Sequence, residues 1–226
     1  NMTNTNHAFI TIVSHDDFRS TKTFCMSGDK LTQQKFIPSD ASAKTVSIES
    51  LSDLGEIFLS AKPSDSILLG TCKYSDDYRL TTNPKVDGDF KRVAENFAFS
   101  NEKTVVMVDY DAKEGEEARF KSSEELVSFL EENFFPGADF TILTKKSTSG
   151  CVKAFNASKF HAYIMVESGD DAICFYGHCK SVQQKIGEVF DTKLMSKMES
   201  HLIFIKPVVP ASFELDMDIK IHTVGK

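Results

Sequence analysis

Two aspartates, Asp109 and Asp111, lie one residue apart at the end of an apolar, β-branched run, residues 104–108. Such a run is typical of a strand that is buried on both faces. Because residues i and i+2 of a strand project from the same face, we expect the two carboxylates to converge. Two unpaired anions at the rim of a core are costly, and a divalent cation offsets that cost. Hard oxygen ligands of this kind suit Mg²⁺ or Mn²⁺, so the pair predicts a metal site.

Other roles compete for the same pair. A calcium loop starting at Asp109 requires Gly at its sixth position and Glu at its twelfth, where the chain has Glu114 and Phe120. The calcium pattern is therefore not matched. A plain strand end, or the cap of a following helix, also accounts for an isolated Asp-x-Asp, and the two aspartates alone do not decide between these roles and a metal site.

Further polar residues follow at domain-scale spacing. Residues 159–166 alternate as a strand does, with His161 at the polar start of one face. A small polar loop, residues 147–150, precedes this strand. A lone carboxylate, Asp191, ends a later apolar segment and is followed by the strand-like residues 202–205. Taken singly, the histidine also fits a hydrogen-bonded structural role, and the loop also fits a plain turn.

In this order the blocks resemble the archaeo-eukaryotic primase superfamily, specifically the primase-polymerase domains of phage and plasmid replication proteins. That family carries hydrophobic-Asp-x-Asp, then a small-residue segment that ends in His, then a hydrophobic residue followed by Asp. The corresponding residues here are Asp109 with Asp111, His161, and Asp191. The resemblance covers roughly residues 65 to 210.

The chain departs from the family pattern in its cations. The family often has Arg shortly before the third-motif Asp and again before the following strand, where this chain has Glu188 and His201. The segment between His161 and Asp191 is also shorter than usual. Fewer cations near a bound nucleotide lower the expected catalytic rate, while the expected metal ligands are all present.

The resemblance implies template-directed nucleotidyl transfer, by primer synthesis or DNA polymerisation from nucleoside triphosphates. In that reaction a 3′-hydroxyl attacks the α-phosphorus while pyrophosphate leaves, and two Mg²⁺ or Mn²⁺ ions stabilise the charge on both oxygens. The catalytic and metal-binding residues implied are Asp109, Asp111 and Asp191. The nucleotide-binding residues implied are His161, Ser147, Ser149, Lys153 and Lys159.

The partners implied are a single-stranded DNA template, nucleoside triphosphates and a replicative helicase domain or helicase partner. Two other functions stay open at this point. A primase-like nucleic-acid-binding module with weak or no catalysis would explain the missing arginines. A metal-dependent nuclease would also use clustered carboxylates, but it has less need of a triphosphate pocket.

The charge distribution bears on the nucleic-acid partner. The formal net charge is −7, although phosphate contacts dominate nucleic-acid affinity. Residues 109–139 hold ten acidic and three basic side chains and account for this whole excess. Residues 140–206 hold nine lysines against six acids, which offers a modest basic surface for nucleotide or template and also fits an ordinary solvated face.

The cysteines offer a weaker metal motif. Cys174, His178 and Cys179 are close in sequence, and Cys151 or His201 would have to complete a zinc site. The spacing is poor, because structural zinc usually takes four ligands with two-residue gaps. We therefore expect no zinc, and five cysteines, an odd number, predict reduced thiols rather than a disulfide framework.

Strands and helices without regular βαβ alternation predict an α+β fold. Strands are expected at residues 8–13, 66–72 and 140–143, a hairpin at 22–37, and helices at 50–61, 86–99, 122–133 and 181–190. The organisation predicts an N-terminal α/β half, residues 1–100, and a metal-binding catalytic half, residues 101–226. The family resemblance further implies that the catalytic half has an RNA-recognition-like sheet and that the active site lies in the groove between the halves.

Nothing in the sequence predicts a membrane protein. No apolar run approaches the length of a membrane span, and residues 1–4 lack the charged and apolar regions of a signal peptide. With 41% hydrophobic residues, the chain can bury a sizeable core. We therefore expect a soluble, cytoplasmic protein.

Overall fold

Strands and helices follow one another irregularly in the computed structural model, which describes residues 6–35, 40–113 and 115–225. The α+β class predicted from the sequence is confirmed. Of the predicted hairpin, residues 36 and 37 lie outside the described residues. The strands are β1 (Ala8–His15), β2 (Lys22–Ser27), β3 (Lys30–Lys35), β4 (Ala41–Ile48), β5 (Asp65–Leu68), β6 (Thr71–Cys72), β7 (Asp77–Leu80), β8 (Asp89–Phe90), β9 (Phe97–Ala98), β10 (Thr104–Asp111), β11 (Phe140–Lys146), β12 (Lys159–Val166), β13 (Ile203–Phe204) and β14 (Lys220–Val224). The α-helices are α1 (Leu51–Ser60), α2 (Ser123–Asn133), α3 (Gly169–Ile186) and α4 (Thr192–Met195).

Two sheets make up most of the fold. The larger has six strands in the order β13-β5-β1-β4-β7-β8, and the smaller has four in the order β10-β12-β11-β14. β2 pairs with β3 as a separate hairpin, and β6 pairs with β9. Every neighbouring pair in the four-stranded sheet is antiparallel. Its elements follow along the chain as β10, α2, β11, β12, α3 and β14, with α4 and β13 inserted before β14.

The two halves of the chain share one buried core. β13 comes from the second half but pairs with β5 in the six-stranded sheet. In the opposite direction, α1 packs on the four-stranded sheet, where the ring centroids of Phe58 and Tyr163 lie 5.1 Å apart. One cluster of buried apolar side chains includes Ile10 of the larger sheet and Val106 of the smaller. The core thus continues across the boundary predicted at residue 100.

The two helices with clear start signals form where the sequence predicts them. α1 begins after Ser50, and the Asp53 carboxylate accepts a hydrogen bond from the Ser50 backbone N–H at 3.1 Å. α2 begins after Ser122, whose hydroxyl accepts a hydrogen bond from the Glu125 backbone N–H at 3.3 Å. Both contacts satisfy amide groups that the first turn leaves without partners. Of the helices in the described ranges, none combines the length and the apolarity needed to cross a membrane.

One other predicted helix is wrong, and another is correct only in part. Residues 86–99 contain β8, one 3₁₀ turn and β9 instead of an α-helix, because β8 pairs with β7 and the Phe90 ring packs edge-on against Tyr78 at 5.6 Å. Residues 181–190 are not a separate helix, since α3 starts at Gly169 and ends at Ile186. Its cap is Ser168, whose hydroxyl accepts from the backbone N–H of Asp171 at 3.1 Å.

The predicted strand at residues 66–72 is interrupted. It consists of β5 and β6, which are separated by Leu69 and Gly70. The backbone N–H of Gly70 donates to the carbonyl of Glu199 at 3.1 Å, and a Cβ at this position would collide with that same oxygen. A close approach between two backbones therefore ends β5 and requires glycine here.

Candidate metal and nucleotide site

β10 delivers Asp109 and Asp111 as the sequence predicts. All of its residues from Thr104 to Val108 are buried, whereas Asp109 is half-buried and Asp111 is exposed. β10 pairs with β12 in a register that sets Asp109 opposite His161 and Asp111 opposite Lys159. The two aspartates share one strand face, so each of them meets a basic residue of the neighbouring strand on that face.

The inner pair joins Asp109 to His161. The His161 Nε2 atom lies 3.4 Å from Asp109 Oδ1, and His161 Nδ1 lies 3.1 Å from the Tyr163 hydroxyl oxygen. Burial by itself raises the pKa of Asp109, but the neighbouring His161, Lys22 and His201 outweigh it and hold that pKa below its ordinary value. Asp109 is consequently a carboxylate at neutral pH, as a metal ligand must be.

The outer pair joins Asp111 to Lys159. The Lys159 Nζ atom lies 2.7 Å from Asp111 Oδ1, and the Asp111 side chain is 57% exposed. This exposure places the pair at the rim of the site, where solvent screens its charges.

A backbone hydrogen bond joins Asp191 to Asp109. Its N–H donates to the carbonyl oxygen of Asp109 at 3.2 Å. The Asp191 side chain caps α4, with Oδ1 accepting from the backbone N–H groups of Lys193 at 2.9 Å and Leu194 at 3.4 Å. The third motif thus meets the first, and its second carboxylate oxygen takes no part in these two cap bonds.

The small polar loop before His161 lies against the same region. Residues 147–150 are all buried, and the Ser147 hydroxyl accepts from the Gly150 N–H at 3.3 Å. A Cβ on Gly150 would lie 2.5 Å from the carbonyl oxygen of Lys159, so only glycine allows the loop to pack this closely on β12. The Ser149 hydroxyl accepts from Lys22 Nζ at 3.0 Å, which ties the loop to the β2–β3 hairpin.

These elements enclose a cavity of about 190 Å³. Apolar side chains of β10, α4 and the β13 region form part of its wall. The polar side chains that line it are Lys22, Asp109, Ser147, Thr148, His161 and His201. A larger cavity of about 540 Å³ lies beside α3 and contains none of the residues predicted for the site, so cavity volume alone does not locate the chemistry.

Some predicted nucleotide ligands lie away from the cavity. Lys153 is ion-paired with Glu214 at 2.7 Å and is 55% exposed. Ser149 is buried and contacts Lys22 rather than lining the cavity wall. Lys159 is held at the rim by Asp111.

Three functional candidates were missed from the sequence. Lys22 reaches the cavity from β2, and His201 reaches it from the segment before β13. Lys145 of β11 lies opposite His161 on the other side of β12, which completes a cross-strand row of Lys145, His161 and Asp109. No local pattern marks Lys22, whereas the alternation of β11 would have placed Lys145 on an inward face.

Lys145 is an unusual member of this row because it is only 1% exposed. Its Nζ atom donates to the carbonyl of Lys146 at 2.8 Å and lies 5.4 Å from the centre of the Phe58 ring. Burial lowers the pKa of Lys145 to about 8. The row therefore holds a buried cation close to the histidine.

The carboxylate oxygens of the site are ligands of the kind that a hard divalent cation prefers. Asp109 is ionised, Asp111 shares its strand face, and Asp191 is attached to Asp109 by a backbone hydrogen bond. Within residues 6–35, 40–113 and 115–225, no three His, Cys, Asp or Glu side chains stand together as a ready-made metal group. Binding through Asp111 requires its carboxylate to exchange Lys159 for the metal.

Three of the candidate zinc residues, Cys174, His178 and Cys179, lie outside the site on α3. Cys174 is exposed while Cys179 is buried, and the His178 ring nitrogen contacts the carbonyl of Phe134. Cys151 lies in the loop region, with its thiol directed at the carbonyl of Thr148 at 3.2 Å.

Comparison of the chain with profiles of known protein families, with curated proteins and with solved structures finds no match in any of the three.

Proposed function

We propose that this chain catalyses template-directed nucleotidyl transfer, by primer synthesis or DNA polymerisation from nucleoside triphosphates. The observation that carries the proposal is the meeting of three motifs that are far apart in the sequence. Asp109 lies 3.4 Å from His161, and its backbone carbonyl accepts from the N–H of Asp191. The small loop that precedes His161 lines the same cavity.

The cavity suits phosphate groups. Lys22, His161 and His201 line the cavity together with a single half-buried carboxylate, Asp109. Ammonium and imidazole groups bind phosphate oxygens through charge-assisted hydrogen bonds. Its volume of about 190 Å³ is below the roughly 300–1000 Å³ typical of pockets that enclose a whole small molecule. We assign it to the triphosphate, with the sugar and base outside.

In this proposal the carboxylates hold the metal and the basic residues hold the nucleotide. Asp109 and Asp111 would bind Mg²⁺ or Mn²⁺, with Asp191 beside them. When bound, such ions neutralise charge that develops on the attacking and leaving oxygens. His161 and Lys22 would orient the triphosphate, and the hydroxyl of Ser147 lies on the same cavity wall. Lys22 and His201 take the part that arginines play in the resembling family.

The proposal includes an RNA-recognition-like catalytic half with the active site in a groove between the two halves of the chain. The succession β10, α2, β11, β12, α3, β14 is a β-α-β-β-α-β order, which supports an RNA-recognition-like catalytic half. The sheet differs from that fold at one edge, because β14 pairs with β11 and not with β10. The cavity is lined by β10, β12 and the β13 region from the second half of the chain and by Lys22 of β2 from the first half, which supports a groove between the two halves. The cluster of cations favours a triphosphate-using enzyme over a nuclease.

The partners in the proposal are a single-stranded DNA template and a helicase domain or partner. Because the chain is acidic overall, we propose that tethering to a helicase supplies the local template concentration. Tethering can raise effective affinity about 10²-fold or more without a new contact.

A primer assay with matched variants tests the function. Purified protein is incubated with single-stranded DNA and either ribonucleotides or deoxyribonucleotides, with Mg²⁺ or Mn²⁺, with and without a labelled primer. The test variant is Asp109→Asn with Asp111→Asn, and the control is Asp76→Asn with Asp87→Asn, two exposed residues that give the same charge change. We expect the test variant to lose synthesis and the control to keep it. Undiminished synthesis by a folded test variant would overturn the proposal, as would failure of the wild type with every nucleotide and metal combination.

A further inference from the structure

An acidic segment near the C-terminus runs antiparallel to the loop that precedes His161. We name residues 214–218 the acidic strap. Its backbone pairs with both ends of the loop. Lys146 N–H donates to the Met217 carbonyl at 2.8 Å, Asp216 N–H donates to the Cys151 carbonyl at 2.8 Å, and Lys153 N–H donates to the Glu214 carbonyl at 3.2 Å.

The side chains of the strap neutralise two lysines that flank the loop. Lys153 Nζ lies 2.7 Å from Glu214 Oε2, and these side chains are 55% and 74% exposed. Lys146 Nζ lies 3.5 Å from Asp216 Oδ2, with side chains 28% and 43% exposed. Both lysines belong to residues 140–206, the segment with nine lysines and six acids.

We propose that Lys146 and Lys153 form a contact surface for the phosphate backbone of single-stranded nucleic acid, and that Glu214 and Asp216 compete with the phosphates for these lysines. This inference rests on the proposed function and assigns a place to its template. An ammonium group binds carboxylate and phosphate oxygens through the same charge-assisted hydrogen bonds. The strap therefore acts as an internal competitor on the template surface.

The exchange costs little because of how the strap is held. The exposed pair of Lys153 with Glu214 contributes little to stability, and the half-buried pair of Lys146 with Asp216 is long, at 3.5 Å. The three backbone hydrogen bonds between strap and loop do not involve the carboxylates, so they persist when the carboxylates release the lysines. The fold can thus expose two cations without unfolding any element.

The position of the surface suits a template. Lys146 and Lys153 flank the loop that contains Ser147 and Thr148, and both of these line the cavity assigned to the triphosphate. A strand bound at the two lysines is therefore held next to the incoming nucleotide, where the base to be copied is needed.

The competition makes a quantitative prediction about salt. Single strands release counterions in proportion to the phosphates neutralised, with a slope of log K against log salt of about −0.7 per contact. Lys146 and Lys153 supply two such contacts, which correspond to a slope of about −1.4 in the absence of competing carboxylates. When phosphates displace carboxylates, those carboxylates take up cations, which offsets part of the release. Removing both carboxylates should therefore steepen the slope by up to about 1.4, for two contacts on the same principle.

The experiment measures binding of a fluorescent single-stranded oligonucleotide between low and moderate salt, without nucleotide or metal. The test variant is Glu214→Gln with Asp216→Asn, which keeps the backbone pairing. The control is Glu117→Gln with Asp87→Asn, which changes the net charge equally and breaks the exposed pair of Glu117 with Lys121. We expect the test variant to bind about tenfold more tightly at low salt with a steeper slope, and the control to change affinity without steepening the slope. Equal slopes in test variant and control would overturn the proposal.

A second variant keeps the inference open to refutation if the first one folds poorly. Lys146→Gln with Lys153→Gln should weaken binding and flatten the slope, and wild-type affinity in this variant overturns the surface. Binding and synthesis are separate readouts. If the test variant has a steeper slope but the protein synthesises no primer, the contact surface is supported and the proposed enzymatic function is refuted. If the protein synthesises primers but the slopes are unchanged, only the contact surface is refuted. Absence of oligonucleotide binding in every variant at low salt also overturns it.

Discussion

Two neighbouring positions on β10 and β12 carry the same kind of pair in different surroundings. The inner pair sets Asp109, 21% exposed, against His161, 11% exposed. The outer pair sets Asp111, 57% exposed, against Lys159, 23% exposed. A single Asp-x-Asp motif thus supplies one carboxylate inside the cavity and one at its rim, and only the inner one lines the cavity.

This difference in exposure indicates different roles for the two aspartates. The inner carboxylate is held in its place and is ionised because His161, Lys22 and His201 counter the cost of burial. The outer carboxylate is bound by a flexible ammonium group that water can replace. In our proposal the inner pair therefore keeps its geometry during the reaction, whereas Asp111 of the outer pair can exchange Lys159 for a metal ion.

The largest expected effect separates the two aspartates by single substitution. Asp109→Asn should reduce nucleotide incorporation by about 10³-fold or more, because it removes the only carboxylate that lines the described cavity and loses electrostatic stabilisation worth several kcal/mol. Asp111→Asn should cost about tenfold less. Primer-extension rates at saturating Mn²⁺ check this order, and equal losses in both variants would show that burial does not distinguish them.

The next largest effect concerns Lys145, the buried member of the cross-strand row that it forms with His161 and Asp109. Lys145→Met should raise the free energy of unfolding at pH 7 by about 3 kcal/mol, at about 1.4 kcal/mol for each unit by which the folded pKa lies below that of the unfolded chain. The folded pKa is lowered from 10.5 to about 8. The wild type should therefore gain stability as pH rises from about 8 towards 10.5, and the variant should lack this gain.

Urea unfolding of both proteins at pH 7 and pH 10 measures the Lys145 prediction. Lys44→Met is the matched control, because Lys44 is exposed and the substitution removes the same charge. A destabilised Lys145→Met variant at pH 7, with wild-type pH dependence, would mean that the ammonium group of Lys145 stabilises the fold.

The strands of the site could be predicted because their signals are local. The β-branched run of β10 and the alternation of β12 give both strands, and the bounds of β12 agree at residues 159–166. A serine start signal gives α1 and α2 in the same way. The same kind of signal is present at Ser168, which caps α3, whereas the predicted helix began only at residue 181.

The composition of the cavity could be predicted only in part. The nearness of Asp109, His161 and Asp191 was implied by the order of motifs in the family that the chain resembles, and not by any local pattern. Lys22 donates to Ser149 across 127 residues of sequence, and no periodicity reveals such a contact. The charge of Lys153 predicted a nucleotide contact, but the residue that pairs with it, Glu214, is more than 60 residues further along the chain.

A smaller effect is expected at the basic member of the inner pair. His161→Ala should raise the KM for nucleotide roughly tenfold or more, because it removes a charge-assisted hydrogen bond worth about 1.5–3 kcal/mol. Affinity for template should stay nearly unchanged, since the imidazole lies in the cavity and not on the lysine surface. Steady-state kinetics over a nucleotide titration, with oligonucleotide binding as the second readout, check both statements. Lost template binding with an unmoved KM would contradict the assignment of the cavity to phosphate.

The smallest effect tests whether the outer pair exchanges its partner. Lys159→Met should tighten Mn²⁺ binding by up to about fivefold in the absence of nucleotide, because exposed ion pairs contribute at most about 1 kcal/mol and the metal no longer has to displace one. Titration followed by electron paramagnetic resonance of free Mn²⁺ gives this affinity without any catalytic step, and Lys44→Met controls for the change in net charge. If the two variants bind Mn²⁺ equally, long-range charge explains the gain. If Lys159→Met binds it more weakly, Lys159 supports the carboxylate geometry instead of competing with the metal, and the contrast between a fixed inner pair and an exchangeable outer pair fails.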